Sequence, residues 1–308
     1  MTTINKISDF GFRISDYVQQ SHIQIRNPQS AIRNQLCGWW RRYGVLVPGL
    51  GLIAVVLLGA MVGTVAPPHD PIAMDIAHRL QPPSLSHPFG TDQYGRDVFS
   101  RVLSGASVAV AVGLVSVGIA VAVGVPLGAV AGFRRGWLGE AIMRAMDALF
   151  AFPSLLLAIA VIAALGPSHI HAMLAIGAVN IPVLARITHG MVLGLREKDF
   201  VLAARAMGAT ERHILWRHVL RNALSSILVQ SGISFAGALL ADAGLSYLGL
   251  GTQPPLPSWG LMLEEARTYM GLAPWMAIFP GLAIATAILG FNLLSDGLRD
   301  YLDPDKRG

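Results

Sequence analysis

Charged side chains are scarce in this chain. Only 13% of its 308 residues are Asp, Glu, Lys or Arg, whereas soluble domains contain about 25%. Hydrophobic residues make up 53% of the sequence, and they are gathered in long runs. The shortage of charge therefore argues against a soluble fold and predicts a membrane protein.

Cysteine is nearly absent as well, because Cys37 is the only one. A single cysteine excludes an internal disulfide and cannot form a metal site alone. The nine His residues are scattered along the chain. His169 and His171 lie near a predicted external turn without a third ligand, so we expect a structural or solvated role for them and no metal site.

Motifs for catalysis and nucleotide binding are missing too. The sequence has no G-x-x-x-x-G-K-[ST] loop, which excludes ATP hydrolysis by that route. It also has no His-Glu-x-x-His, Cys-x-x-Cys or nucleophile-elbow sequence, and these are common signatures of enzymes. The chain is therefore predicted to be non-catalytic and to need no cofactor, and any energy from ATP would have to come from another subunit.

What the chain does contain is six apolar runs, each long enough to cross a bilayer as a helix. The runs are 44–66, 104–132, 147–166, 169–190, 223–250 and 275–295. They predict an all-α polytopic membrane protein. Its parts are a tail at 1–43, a first membrane helix at 44–66, an external loop with an amphipathic segment at 67–103, a five-helix core at 104–297 and a tail at 298–308.

The basic residues are distributed unevenly between the loops of this topology. Of the 23 Lys and Arg residues, only Arg79, Arg96, Arg101 and Arg267 fall in predicted external loops. Cytoplasmic loops are enriched in Lys and Arg, so both termini are predicted to be cytoplasmic. This bias also explains the net charge of +5 without nucleic-acid binding.

Local patterns predict how the helices pack and pair. The second run carries a stripe of small residues, which allow helices to approach closely in lipid. Arg144 lies just before the third run and Asp147 at its start, spaced for an ion pair within one helix, and Pro153 within the run predicts a kink. The aromatic residues Trp259 and Trp275 suit a membrane–water boundary. The small residues are Gly113, Ser116, Gly118, Gly124, Gly128 and Gly132.

Residues 199–222, DFVLAARAMGATERHILWRHVLRN, form a basic segment between two apolar runs. Good helix formers dominate up to Met207, and Gly208 then interrupts the helix. Thr210 is placed to cap a second helix, in which Ile214 and Val219 share one face. Two short helices at an angle are predicted, and such a segment in a membrane protein suits docking to a soluble partner.

This segment resembles the EAA loop of ATP-binding-cassette importer permeases, through Leu202-Ala203-Ala204 followed after three residues by Gly208. Leu202 stands where the family has Glu, and His218 and Arg221 stand where it has Ile and Pro. The run His87-Pro-Phe-Gly-Thr-Asp-Gln-Tyr-Gly-Arg-Asp-Val-Phe-Ser-Arg101 and the ending at 292–304 resemble the C-type permease of dipeptide, oligopeptide and nickel importers. Together these similarities extend over residues 40–305.

The resemblance implies a type I importer permease fold in the prokaryotic inner membrane. It implies a homologous second permease, two cytoplasmic ATPase subunits that use ATP, and an extracytoplasmic substrate-binding protein as partners. Segment 197–222 would couple the permease to an ATPase. The implied coupling residues are Leu202, Ala203, Ala204, Arg205, Gly208 and Arg217.

Other functions remain open from the residues alone. A self-powered carrier or channel is one alternative, and such a carrier usually needs a set of buried polar coupling groups. Asp242 is the only acid well inside a predicted span, which argues against self-powered transport. It either lines the pathway or serves helix packing. A membrane enzyme would need polar residues converging at one depth, which the sequence does not indicate. The choice among dipeptides, longer peptides, glutathione, nickel chelates and sugars stays open.

Overall fold

The computed structural model describes residues 44–134 and 136–302, so the predicted tail at 1–43 and the last residues of the chain lie outside the described part. The described residues form helices and turns without a β-strand, which confirms the all-α prediction. The helices are α1 (Leu46–Val65), α2 (Val98–Phe133), α3 (Trp137–Phe150), α4 (Ser154–Leu165), α5 (His169–Leu195), α6 (Asp199–Ala206), α7 (Glu211–Tyr247), α8 (Trp259–Ala266) and α9 (Trp275–Leu302).

Five of these helices, α1, α2, α5, α7 and α9, are long and apolar enough to cross a membrane. The remaining predicted span, the run at 147–166, is not one straight helix. Helices α3 and α4 meet there at 88°, because Pro153 has no backbone N–H to continue α3 and instead precedes the first residue of α4. The described chain thus has five spans, or six if the bent pair counts as one.

Helices α2 and α5 pack closely because glycines on α2 leave no side chain between them. A Cβ atom at Gly124 would lie 2.6 Å from the carbonyl oxygen of Ile181. At Gly132 it would lie 2.7 Å from the carbonyl oxygen of His189, and at Gly128 it would overlap the carbonyl oxygen of Ala185. The small-residue stripe therefore acts as predicted, although Gly118 faces open space.

The predicted external loop forms a compact cap before α2. Asp92 Oδ1 accepts hydrogen bonds from the backbone N–H groups of Tyr94 and Arg96 at 2.8 and 2.9 Å, and Gly95 adopts a positive φ of 76°, which favours glycine. Asp97 caps α2 by accepting from Ser100 N at 2.8 Å. Asp97 thus caps one helix that begins at Val98, so the predicted amphipathic segment and the membrane run predicted from residue 104 belong to the same helix.

A buried cluster of four charged residues, the cap cluster, joins this external segment to α8. Arg96 Nη2 and Arg101 Nη2 donate to the two carboxylate oxygens of Glu265 at 3.0 and 2.8 Å. Arg96 Nε donates to Asp92 Oδ2 at 2.6 Å. Two arginines and two carboxylates balance the charge, which a buried site requires. The cap cluster fixes α8 against the start of α2.

The structure gives several of these side chains specific partners. The indole N–H groups of Trp259 and Trp275 donate to the carbonyls of Val102 and Thr91 at 2.9 and 3.1 Å. Both rings pack within the cap, and their position at a membrane–water boundary stays a prediction. Asp147 pairs with Arg186 of α5 at 2.6 Å, whereas a pair with Arg144 on its own helix was predicted.

Candidate functional site

The segment between α5 and α7 folds as the sequence predicts at its turn. Helix α6 ends where Gly208 adopts a φ of 80°, a conformation that glycine enters without a Cβ clash. The N–H groups of Gly208 and Ala209 then donate to the carbonyls of Arg205 and Ala204 at 2.9 and 3.1 Å, which satisfies the end of the helix. The turn is short and fully hydrogen-bonded.

The next helix begins directly after this turn. The hydroxyl of Thr210 accepts from His213 N at 3.4 Å and caps α7, as predicted. Arg205 on α6 donates to both carboxylate oxygens of Glu211 at 2.9 and 3.2 Å. This exposed pair adds little stability, but its fork geometry fixes the angle between α6 and α7.

The sequence pattern suggested a short second helix, but this helix is long. It continues through a π-helical stretch, Ile214–Val219, into Leu220–Tyr247, so one helix joins the coupling segment to the core. The predicted apolar face is confirmed, because Ile214, Leu215 and Val219 are buried. They pack in one cluster with residues of α2, α5 and α6 that include Phe133, Val192, Val201 and Ala204.

The predicted coupling residues divide into two groups in the structure. Ala204 is buried in this apolar cluster and cannot contact a partner directly. The other five, Leu202, Ala203, Arg205, Gly208 and Arg217, are exposed.

Two further exposed residues extend this surface, and the sequence reasoning missed both. Met207 is 82% exposed and Trp216 is 48% exposed. The sequence did contain a signal for Trp216. It lies between Leu215 and Val219 in the sequence, but on the helix face opposite to these two buried residues. Leu202, Met207 and Trp216 therefore expose apolar side chains on this basic segment, and they are here called the coupling surface.

A cavity of about 920 Å³ lies beside the coupling surface. Its apolar wall comes from Phe133, Leu202 and Trp216, and its charged wall is mainly basic. A protein that inserts an apolar side chain flanked by acidic groups would match this combination. The basic residues are Arg134, Arg196, Arg205 and Arg212.

A second cavity, of about 730 Å³, lies on a different face of the bundle. The bent pair α3–α4 contributes Phe150 and Phe152, α5 contributes Asn180, and α7 contributes Leu240. The lining is mostly apolar, with backbone freed by the bend near Pro153. This face is a candidate wall for a passage through the membrane.

Asp242 does not reach either cavity lining. It is 5% exposed, and its Oδ1 atom has no hydrogen-bond partner among the described residues. It lies near the end of α7 where α8 packs closely, since Gly260 approaches Ala243 and Ser246. Its role in a pathway stays a prediction.

His169 and His171 have separate hydrogen-bond partners. His169 Nδ1 lies 3.1 Å from the hydroxyl of Thr252, and His171 Nδ1 donates to the carbonyl of Gly166 at 2.8 Å. Each therefore serves the packing of the loops at this end of the bundle.

Comparison with known proteins identifies a matching family and several similar proteins. The model of the family described as "Binding-protein-dependent transport system inner membrane component" matches residues 124–308. The chain is 46% identical over 228 residues to the dipeptide transport system permease protein DppC of Alkalihalophilus pseudofirmus, covering 74% of this chain and 75% of the relative. It is 40% identical over 278 residues to the glutathione transport system permease protein GsiD of Pectobacterium atrosepticum, covering 89% and 92%. For GsiD of Escherichia coli O157:H7 the identity is 43% over 274 residues, covering 88% and 90%.

Proposed function

Because the chain belongs to the family of inner membrane components of binding-protein-dependent transport systems, we propose that it is the permease subunit of an ATP-binding-cassette importer for short peptides. The coupling surface is the observation that carries the proposal. Leu202 and Met207 expose apolar side chains on a segment that is otherwise rigid and hydrogen-bonded. A soluble ATPase subunit is the partner that would cover them.

The segment is built to transmit a displacement. Val201 and Ala204 anchor α6 to the same cluster that holds the first turns of α7, and Arg205 ties the two helices together through Glu211. A push on the coupling surface therefore moves α6 and α7 as one unit. The two-state element is the helix bundle, which repacks instead of bending continuously.

The pathway requires a second subunit in this proposal. The cavity at the bent pair α3–α4 is walled on one side by α5 and α7, and a homologous permease would supply the facing wall. Two cytoplasmic ATPase subunits would bind the coupling surfaces and use ATP, so this chain would need no cofactor. An extracytoplasmic binding protein would deliver the substrate to the external cap.

The basic residues support an orientation. The coupling segment carries Arg205, Arg212, Arg217 and Arg221, and basic loops tend to remain in the cytoplasm. In this proposal the coupling surface and both termini are therefore inside and the cap cluster is outside. Asp242 then lies towards the external end of the bundle.

The substrate class comes from the relatives. Those named above are permeases of dipeptide and glutathione systems, and both substrates are short peptides with free carboxylates. We propose the same class for this chain. Its selectivity would depend mainly on the binding protein that delivers the substrate.

The test is purification from native membranes in mild detergent, followed by reconstitution with the partners that remain bound. Recovery of a second permease and a P-loop ATPase, with ATP-dependent uptake of a labelled dipeptide or glutathione in the presence of the binding protein, is expected. Recovery of the chain alone, with uptake driven by an ion gradient without ATP, would contradict the proposal and favour a self-powered carrier.

A further inference from the structure

Three side chains that could ligate a metal meet on the cap beside the start of α2. His69 follows α1, His87 lies in the turn before the glycine-rich run, and Asp97 caps α2. One ligand atom from each lies within 4.8 Å of the others. We propose that His69, His87 and Asp97 form a binding site for a zinc-like transition-metal ion.

The distances fit a single ion. His87 Nδ1 lies 3.0 Å from Asp97 Oδ1, and His69 Nδ1 lies 3.7 Å from Asp97 Oδ2. Two ligands bound tetrahedrally to zinc at about 2.0–2.2 Å are separated by roughly 3.4 Å, so these distances bracket the required value. All three ligand atoms lie within 4.8 Å of one another, so an ion would draw them closer together.

Asp97 is held in position before any ion binds. Its Oδ2 atom accepts from the backbone N–H and the hydroxyl of Ser100 at 2.8 and 2.7 Å. The Ser100 hydroxyl also accepts from the backbone N–H of His69 at 3.0 Å. One serine thus orients two of the three ligands, which is the role that outer-shell groups have in metal sites.

His87 is fixed by its own turn. Its backbone N–H donates to the hydroxyl of Ser84 at 3.1 Å, and its carbonyl accepts from the N–H groups of Ser84 and Gly90 at 2.9 and 2.8 Å. His69 is the accessible member, with a side chain 45% exposed, whereas Asp97 is 1% exposed. An ion can therefore enter from the His69 side.

The donor set selects the class of ion. Two imidazoles and one carboxylate suit zinc, copper, nickel or iron, whereas magnesium and calcium prefer oxygen ligands. Three protein ligands leave a fourth position open to water or to an external donor. Bound metal would join the chain after α1, the turn at Ser84–Gly90 and the N-terminus of α2.

The site was not evident from the sequence, which predicted no metal ligands. His69 and Asp97 are 28 positions apart without a recognisable spacing motif. Only the folding of the cap brings the three side chains together. The site is independent of the proposed transport function, because it rests on the cap alone.

The experiment uses the full chain, purified with a tag that contains no histidine and with Cys37→Ser to remove the only thiol. Zinc is titrated by calorimetry, and cobalt is titrated by visible absorbance, which reports tetrahedral nitrogen and oxygen ligands. We expect one high-affinity equivalent. His69→Ala and His87→Ala should each weaken zinc binding by at least roughly tenfold, the lower end of the loss that even an outer-shell change causes.

His78→Ala is the matched control. His78 also contacts an aspartate in the cap, since its Nδ1 atom lies 2.7 Å from Asp75 Oδ2. Among the described residues, however, this pair does not belong to a group of three side chains that could hold a metal ion. Zinc binding should be unchanged by His78→Ala. Asp97→Asn, which keeps an oxygen to cap α2, should lower affinity while the protein stays folded.

Two results would overturn the site. One is the absence of a stoichiometric zinc or cobalt equivalent in the parent chain. The other is equal zinc affinity in the parent, His69→Ala and His87→Ala chains, which would mean that the three residues serve only as hydrogen-bonding groups of the cap. A zinc-dependent rise in thermal stability that His69→Ala abolishes, while its stability without metal is retained, would support the site.

Discussion

Arg101 in the first turn of α2 donates from Nη2 to Glu265 Oε2 at 2.8 Å and joins two segments that are 164 positions apart in the sequence. The Arg101 side chain is 1% exposed. Because an arginine keeps its charge when buried, this contact makes the position of α8 depend on the start of α2.

Glu265→Gln tests this dependence. The substitution keeps the shape of the side chain but leaves Arg96 and Arg101 short of one buried negative charge. Breaking a buried ion pair costs about 3–5 kcal/mol, so we expect a clear loss of thermal stability in detergent. The control is Glu264→Gln on the same helix, which should change stability little. Equal effects of the two variants would contradict the role of the cap cluster.

Gly128→Ala tests the close approach of α2 and α5. A Cβ atom at this position would overlap the carbonyl oxygen of Ala185, and overpacking of this kind costs about 1–3 kcal/mol. Gly118→Ala is the control in the same helix, because a Cβ atom there meets open space. Thermal unfolding of the two variants should differ, with only Gly128→Ala less stable than the parent.

Gly208→Ala tests the turn between α6 and α7. The positive φ of Gly208 costs an alanine about 1–2 kcal/mol, so local protection from hydrogen exchange in residues 199–213 should fall. Gly194→Ala is the control, since it lies inside α5 with open space around it. That change should be neutral or stabilising by up to about 1 kcal/mol. Reduced protection in both variants would indicate that the φ of Gly208 is not the cause.

Met207→Asp and Leu202→Asp test the coupling surface. Both side chains are exposed, at 82% and 53%, so a carboxylate there should leave the fold intact. We expect loss of co-purifying ATPase and of ATP-dependent uptake, with normal insertion into the membrane. Leu85→Asp is the control, because Leu85 is even more exposed but belongs to the cap before α2.

Ala204→Asp addresses a different property. Ala204 is buried among Val201, Ile214 and Val219, where an unpaired carboxylate costs several kcal/mol. We expect this variant to lose folded protein as well as uptake, measured by the yield of monodisperse protein in detergent. Normal yield with lost uptake would instead indicate that Ala204 acts directly in the contact.

Local signals in the sequence were sufficient to predict the turn and the helix cap within residues 199–222. Gly208 and Thr210 act on their immediate neighbours, so their turn and cap could be predicted without knowledge of the rest of the fold. The small residues of α2 likewise predicted close packing. Each of these features depends on a few consecutive residues or on a single helix face.

Features that join distant segments could not be predicted in this way. Arg96 and Glu265 are 169 positions apart, and the sequence gives no spacing that pairs them. Trp259 resembled a boundary aromatic because composition reports only its amphipathic character. Its buried hydrogen bond to Val102 depends on where α8 packs. For the same reason, the proximity of His69 and Asp97 could not be predicted from the sequence.

Helix α7 extends over 37 residues, from Glu211 to Tyr247, and includes the π-helical stretch at Ile214–Val219. At 1.5 Å per residue it is about 55 Å long, nearly twice the thickness of the roughly 30 Å hydrocarbon core. A helix of this length can act as a lever. A tilt of a few degrees shifts one end relative to the other by a few ångströms, and α8, which packs against Ala243, would move with that end. In the proposed orientation, the cap would thus respond to an event on the far side of the bilayer through the motion of a single helix.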